Sequence, residues 1–456
     1  MALVLYNTAS REKEPLTPLK AGHVSMYVCG PTAYDTAHIG NARPVIVFDV
    51  LYRLLKREFD SVTYVRNITD VDDKIIDAAA ENDEAIEALT ARTIKAFHED
   101  VAALNTLEPD VEPRATGHIG EMIAMIEKLI ASEYAYEKDG HVLFEVAKMA
   151  EYGKLSGRDR REQLAGARVE VAPYKRDAAD FVLWKPSPAE LPGWPSPWGR
   201  GRPGWHIECS AMSEKHLGAR FDIHGGGRDL IFPHHENEVA QSTCVHGPGS
   251  FAQTWVHNGF VTVNGEKMSK SLGNVLSVRE LLGRWPAEAI RLNMLSAHYR
   301  QPLDWSEEGV RGAKRTLDHW YRAVDGLGES AGEDDAGFIA ALEDDLNTPK
   351  AIAEMHRLAD EVSLSGGGGA LSAKRKLKAG GDVLGVLAQE PSAWFAWRPP
   401  SAALDPARIE SFIEERAAAR ARRQFDEADR IRDDLAAEGV VLEDKPDGKT
   451  IWRHEG

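Results

Sequence analysis

Only three cysteines, Cys29, Cys209 and Cys244, occur in 456 residues. That is too few for a disulfide framework, which leaves metal binding or packing as buried free thiols. Long apolar runs are also missing. None approaches the roughly 20 residues that cross a bilayer, so a membrane partner is not expected. The opening stretch MALVLYNTASREKEP has no basic region before its few apolar residues and no small-residue cleavage site after them, which predicts a soluble, cytoplasmic chain. Positive charge is scarce: 55 Lys and Arg against 72 Asp and Glu leave a net charge of −17, an awkward balance for contacting phosphates. Net charge is not its distribution, however. Arg408, Arg416, Arg420, Arg422, Arg423, Arg430 and Arg432 crowd together near the C-terminus. They form either a local positive surface or a solvated helix face paired with Glu414, Glu415 and Asp426.

What is present points to a globular chain of two to four domains, because this length exceeds what one hydrophobic core supports. HVSMYVCGPT reads as a strand from Val24 to Cys29, stopped by Gly30 and Pro31. AHIGNARPVIVFDVLYRLLK has helical apolar spacing, with Pro44 expected in the first turn, and a second strand follows from Val62 to Ile68. Strand, helix, strand is the start of a doubly wound parallel sheet. Residues 78–132 read as helical, and 134–204 as an insertion into the sheet. WHIEC and FDIHGG read as resumed strands. Helical periodicity dominates from Arg279 onward, broken by a flexible loop at Ser363–Gly369, and a short strand pair around GVVLED and TIWRH closes the chain. Internal repeats are not evident.

Three constellations carry chemistry. His38, Ile39, Gly40 and Asn41 sit where a helix begins after a strand, and unpaired N–H groups and the helix dipole attract phosphates there. Lys267, Met268, Ser269, Lys270 and Ser271 form a polar loop whose two lysines can close over a triphosphate and neutralise its charge. Each is weak alone, since such residues usually cap, pack or face solvent. The third combines Cys29 and Cys209 with His234 and Glu238 of PHHENE, the last two at i,i+4. Two thiolates, an imidazole and a carboxylate are normal zinc donors. The bland alternative is two buried cysteines that only pack.

In this order and at this separation, HIGN and KMSKS resemble the two signatures of class I aminoacyl-tRNA synthetases. CGPT at Cys29–Thr32, the stretch Gly204–Met212 and FPHHENE narrow the resemblance to cysteinyl-tRNA synthetases, as do NITDVDDK, DFVLWK, LEDDLNTP and the terminal GVVLEDKPDGKTIWR. The match is weakest from Gly328 to Leu371, and Asn41 stands where the family often has a second histidine.

The resemblance implies an α/β fold: a Rossmann-like doubly wound parallel sheet with an inserted subdomain, a helical bundle, and a small α+β anticodon-binding domain. The implied segments are 1–125 and 201–315 for the two catalytic halves, 126–200 for the insertion that receives the tRNA acceptor end, 316–400 for the bundle and 401–456 for the anticodon module. It implies one zinc ion on Cys29, Cys209, His234 and Glu238. ATP with Mg2+ is expected at Thr32, His38, Gly40 and Lys270, and His38, Gly40, Asn41, Lys267 and Lys270 would be the catalytic residues. Trp205, Thr69 and Asp229 would line the amino-acid pocket, with His206, His224 and His235 in support and Cys244 merely packed. Trp452 and Arg453 would meet anticodon bases, or Trp452 would fill a small core. The implied partners are L-cysteine, ATP and tRNA(Cys), met by a monomer. The alternative is a cysteine:amino-sugar ligase of mycothiol biosynthesis, which shares the catalytic half and zinc ligands but generally lacks an anticodon module.

Overall fold

The computed structural model describes residues 2–159, 162, 172–269, 272–328, 332–400, 405–444 and 449–454. An antiparallel hairpin, β1 (Val4–Asn7) with β2 (Glu12–Pro15), precedes β3 (His23–Val28). In β3 the side chains of Val24, Met26, Tyr27 and Val28 are all buried, the mark of a strand covered on both faces. Helix α1 (Ile39–Glu58) follows, with Lys56 and Arg57 in its last turn complementing the dipole. Pro44 lies in the second turn rather than the first, so the Gly40 carbonyl loses its helical donor. Strand β4 (Ser61–Arg66) then pairs parallel to β3.

The expected helical stretch 78–132 is broken. Helices α2 (Asp73–Glu81), α3 (Ile86–Ala103) and α4 (Ile119–Ala131) are helical, but between α3 and α4 the chain runs extended beside β4, bridging Val65 to Val111 and Ile68 to Arg114. Pro109 and Pro113 cannot supply helical donors there. The insertion is an antiparallel sheet of β5 (Ala135–Lys138), β6 (His141–Phe144), β7 (Phe181–Pro186) and β8 (Gly201–Pro203). WHIEC does not resume the sheet. It opens helix α5 (Trp205–Leu217), in which Ile207 to Ser213 are buried all round, so polar and apolar residues alike lose the periodicity that marks a helix.

Strand β9 (Arg220–Gly227), helix α6 (Glu236–His246) and strand β10 (Phe251–Asn258) complete the central parallel sheet, ordered β10-β9-β3-β4. The chain leaves β3 toward β4 on one side and returns to β9 on the other, so the topological switch point lies between β3 and β9. Beyond β10, β11 (Val261–Val263) pairs antiparallel with β12 (Glu266–Lys267) and parallel with β13 (Leu303–Trp305), with α7 (Val278–Leu282) and α8 (Ala287–Leu295) between.

Helices α9 (Glu307–Val324), α10 (Ala336–Glu343), α11 (Thr348–Leu364), α12 (Gly367–Leu384) and α13 (Pro391–Phe395) form the bundle. The loop expected at Ser363–Gly369 shrinks to Ser365 and Gly366, because Gly367–Gly369 enter the first turn of α12. Last come α14 (Pro406–Ala421), α15 (Phe425–Ala437) and the hairpin β14 (Val440–Asp444) with β15 (Thr450–His454). There Trp452 packs against the small core of Ile409, Ile413 and Leu435, and its indole N–H donates to Glu410 at 2.7 Å.

One hydrophobic core runs without a break from Met26 and Ile46 through Leu292 to Trp320 and Leu358, so the parallel-sheet half and the bundle are packed as one body. Arg291 threads that junction fully buried. It pairs with Asp49 of α1 and donates to the carbonyls of Leu384 (2.6 Å) and Leu104 (3.0 Å), while Asp49 also accepts from the Leu107 amide at 2.7 Å. Arg53 also reaches Asp49, at 2.9 Å, but removing Arg291 takes away the carboxylate's fully buried partner, a costly loss in a dry interior. Arg291→Met should therefore cost about 3 kcal/mol of unfolding free energy, read as a lowered urea midpoint. An unshifted midpoint would show the network to be dispensable.

Candidate active site

At the carboxyl ends of β3 and β9, side chains from four segments converge. Cys29 follows β3 directly, and its amide donates to the Gly225 carbonyl of β9 at 3.1 Å. Gly30 is obligatory: a Cβ there would stand 1.7 Å from the Asn67 carbonyl oxygen, and the Gly30 amide donates to Asn67 Oδ1 at 2.9 Å. Cys209 projects from α5. His234 and Glu238 come from the irregular helical turn Ile231–His235 and the start of α6.

The Cys29 and Cys209 sulfurs are 3.6 Å apart, well beyond a disulfide bond. Cys29 Sγ is 3.5 Å from both His234 Nε2 and Glu238 Oε1, and those two atoms are 2.9 Å apart. Sulfurs about 2.3 Å and nitrogens about 2.0 Å from a tetrahedral zinc would be about 3.8 Å (S–S) and about 3.5 Å (S–N) apart, so the donor set fits that ion. One donor atom from each of the four residues lies within 4.8 Å of the other three. Glu238 Oε2 is buried without a hydrogen-bond partner among the described residues, a further sign of a site built for a cation. His224 Nε2 also faces the cluster, 3.6 Å from Cys29 Sγ and 3.4 Å from Glu238 Oε2, and with His235 it makes a second group around Cys29 and Glu238.

The electrostatics follow from burial. Burial pushes the Cys29 thiol well up, and the Cys209 sulfur beside it adds to the effect. Cys209 is held down at about 7, chiefly because the Cys29 thiol donates to it, so the pair shares one proton and Cys209 ionises first. Burial also raises Glu238 and lowers His206, His224 and His235 well below the ordinary imidazole range. Outer contacts hold the ring orientations. His206 Nδ1 lies 2.9 Å from His234 Nδ1, Trp205 stacks on His234 with centroids 4.0 Å apart, and His235 Nδ1 meets His257 Nε2 at 2.7 Å.

The remaining predicted residues lie nearby or elsewhere. Thr32 bridges to Thr69, whose hydroxyl donates to the buried Glu208 at 2.9 Å. Asp229 is exposed just past β9. His38 caps α1, accepting from the Gly40 amide at 3.0 Å, while Asn41 Oδ1 accepts from the His38 amide at 3.1 Å. Asn41 thus closes a capping box, which explains an amide at that position. A Cβ on Gly40 would lie 2.9 Å from Met268 Cε, so the HIGN turn and the lysine loop are in contact. Lys267 is exposed on β12; Lys270 and the Arg453 side chain lie outside the described residues. Cys244 stays apart from the cluster, half-buried, with its thiol pushed up to about 12 by burial. Glu208 and Tyr27 went unnoticed in the sequence, although each is fully buried beside the thiols; the only available signal was an acidic residue inside the otherwise core-like WHIECSAM.

Three family models match this chain in succession: tRNA synthetases class I (C) catalytic domain over residues 15–315, DALR domain over 337–388, and cysteinyl-tRNA ligase anticodon binding domain over 405–453. The chain is 61% identical to the cysteine–tRNA ligase of Paramagnetospirillum magneticum, covering 99% of this chain and 100% of that one. The chain belongs to the cysteine–tRNA ligase family. Its likeness to the Rhodospirillum rubrum member is 58%, over 99% of this chain and 100% of the relative. Methionyl-tRNA synthetase of Mycobacterium tuberculosis, solved with methionyl-adenylate, shares the fold at 14% identity, with a TM-score of 0.54 over 84% of this chain and 92% of that one. The class I fold is thereby established, and the catalytic and anticodon-binding domains together imply ATP, an amino acid and tRNA as partners. The amino-sugar ligase alternative is set aside, because the anticodon-binding match covers the C-terminal module. No helix among the described residues is long and apolar enough to cross a membrane.

The buried imidazole layer makes stability depend on pH. His257 is lowered to about 3 by burial, against about 6.5 in an unfolded chain, so between those values the unfolded state binds the extra proton. Its contribution is complete above about pH 6.5 and is lost as pH falls toward 3. His257→Gln should flatten the slope of unfolding free energy against pH in that window, measured by denaturant titration at successive pH values. An unchanged slope would rule out this linkage.

Proposed function

We propose that this cysteine–tRNA ligase holds one zinc ion on Cys29, Cys209, His234 and Glu238 and uses it to select the thiol of L-cysteine. The meeting of two thiols, an imidazole and a carboxylate at the switch point of the sheet carries this reading. A bound zinc ion supplies a thiophilic position that favours an ionised thiol over the near-isosteric hydroxyl of serine, a distinction shape alone makes poorly.

The chain's own residues do the rest. Trp205, stacked on His234, walls the pocket, and Thr69 and Asp229 are the further residues we assign to the amino acid. ATP, carried with Mg2+, rests its phosphates at the α1 N-terminus, where His38, Gly40 and Asn41 present the positive end of the dipole and Thr32 stands close by. Lys267 and Lys270 offset charge as an oxygen of the cysteine carboxylate attacks the α-phosphorus and the bond to pyrophosphate breaks. The 2′-hydroxyl of the terminal ribose of tRNA(Cys) then attacks the activated carbonyl, and AMP leaves. No protein nucleophile is needed, since the attacking carboxylate is already ionised.

On this reading residues 1–125 and 201–315 form the catalytic domain, 126–200 receives the acceptor end, 316–400 is the bundle and 401–456 reads the anticodon. Trp452 keeps part of its ring exposed although its N–H is committed to Glu410, and with Arg453 it is the candidate anticodon contact. The enzyme works as a cytoplasmic monomer.

Two measurements test the site. Enzyme stripped with a chelator should lose its preference for cysteine over serine in ATP–pyrophosphate exchange and regain it with one equivalent of zinc; retained preference refutes the role of the metal. Lys270→Ala should slow exchange by about 10²–10³-fold, the scale for removing one charge-stabilising group, while cysteine binding followed by tryptophan fluorescence stays near wild type. Unchanged exchange would remove Lys270 from the reaction.

A further inference from the structure

Arg43 lies one helical turn past Ile39, on the face of α1 that the HIGN turn begins, and it is fully buried. No carboxylate pairs with it among the described residues. Its guanidinium is spent on backbone carbonyls instead: Nη1 donates to Phe260 at 2.5 Å, and Nη2 to Gln301 at 2.6 Å and His298 at 3.4 Å. Burial lowers it only to about 10, so it remains a cation at neutral pH. A buried cation facing three neutral acceptors is costly for packing alone, which calls for another reason for its presence.

The reason lies in what those carbonyls begin. Phe260 immediately precedes β11, and Gln301 lies just before β13. The two strands pair from Val261 opposite Leu303, and the Leu303 amide donates to the same Phe260 carbonyl at 2.9 Å. β11 in turn pairs with β12 through Thr262 opposite Lys267, so this small sheet carries the first signature lysine. The far stem of the lysine loop is fastened to the same helix end: the Ile39 amide donates to the Leu276 carbonyl at 3.0 Å, and the Val278 amide to the Ala37 carbonyl at 2.9 Å. Both stems of the loop therefore hang from the start of α1, one by main-chain bonds and the other by Arg43.

We infer that Arg43 is a positioning residue for adenylate formation: its three-carbonyl clamp sets the distance between the HIGN turn and the β12 lysine strand. It touches no substrate and acts through Lys267. The inference rests on the nucleotide-site reading above. The planar fork reaches these acceptors from two nitrogens at a fixed spacing, whereas a lysine in its place offers one shorter, freely rotating ammonium that cannot hold them at the same separation. Because the lysines neutralise a triphosphate, their placement matters when pyrophosphate leaves and not when AMP leaves.

Arg43→Lys tests this. Expected are a rise in KM for ATP and a fall in kcat for ATP–pyrophosphate exchange of about 10–100-fold, the scale of a misplacement near 1 Å. Single-turnover transfer from preformed cysteinyl-adenylate to tRNA should stay within about three-fold, since a shift confined to the lysine strand leaves the acyl-transfer geometry in place. A merely structural role would lower both steps together. An equal fall in both, or no fall in either, overturns the inference. If Arg43→Lys does not fold, Gly259→Ala disturbs the same corner from the other side, since its Cβ would stand 2.4 Å from the Gln301 carbonyl oxygen. The same split is expected from it, and its absence is equally decisive. Lys267→Ala, run in parallel, separates the two ideas. Full exchange in that variant sinks the nucleotide-site reading itself, whereas loss there with wild-type exchange in Arg43→Lys sinks only the clamp.

Discussion

Two sulfurs held 3.6 Å apart at the end of a parallel strand constrain nearly everything around them. To bring Cys209 to Cys29, helix α5 must cross the carboxyl end of the sheet, and to bring His234 and Glu238 there, the start of α6 must lie beside it. The strand order β10-β9-β3-β4 leaves room for both only at the switch point, where connections diverge to opposite sides. The glycine that follows Cys29 and two of those that end β9 serve the same crowding: a Cβ at Gly225 would sit 2.2 Å from the Phe48 ring, and one at Gly226 2.9 Å from His235.

Such a site is expensive in polar groups removed from water, and the structure keeps them in layers. The cluster is backed by His206, His224 and His235, and His257 backs His235 and meets the Thr8 hydroxyl at 2.8 Å. Burial keeps these imidazoles neutral, so each offers a lone pair as well as an N–H and can fix a ligand's orientation without adding charge. Farther out, Arg291 and Arg43 tie α1 to the bundle and to the lysine-bearing strands. Helix α1 is thus the frame to which nucleotide site, lysine loop and bundle are all fastened.

Several of the C-terminal arginines are engaged within the module, so they do not by themselves offset the net charge of −17. Arg416 and Arg420 pair with Asp444, Arg430 with Glu427, and Arg432 with Asp429 and Asp433. The partners expected from helical spacing, Glu414, Glu415 and Asp426, are not among these: β14 folds back to present Asp444 to Arg416 and Arg420, while Arg430 and Arg432 pair within α15, chiefly at i,i+3, with Asp434 as an i,i+4 partner of Arg430. The exposed pairs among them contribute little stability, while Arg416 is buried against Asp444.

Much of this was written in one dimension. The strand before Cys29, the helix after His38, the insertion, the bundle and the terminal hairpin follow from local punctuation and periodicity, and the motif order from HIGN to KMSKS identifies the class of enzyme. Local signals failed where residues are buried on all sides. WHIEC looked like a strand because its helix has no exposed face, and Gly367–Gly369 looked like a loop because glycine enrichment does not reveal that a helix begins there. The sequence by itself determined which donors exist and that two of them share a helical face. Only the tertiary structure decided that Cys29 and Cys209, 180 residues apart, meet, that His224 joins them and that Arg43 clamps the lysine strands, because such contacts are set by how strands are ordered across the sheet and not by spacing along the chain.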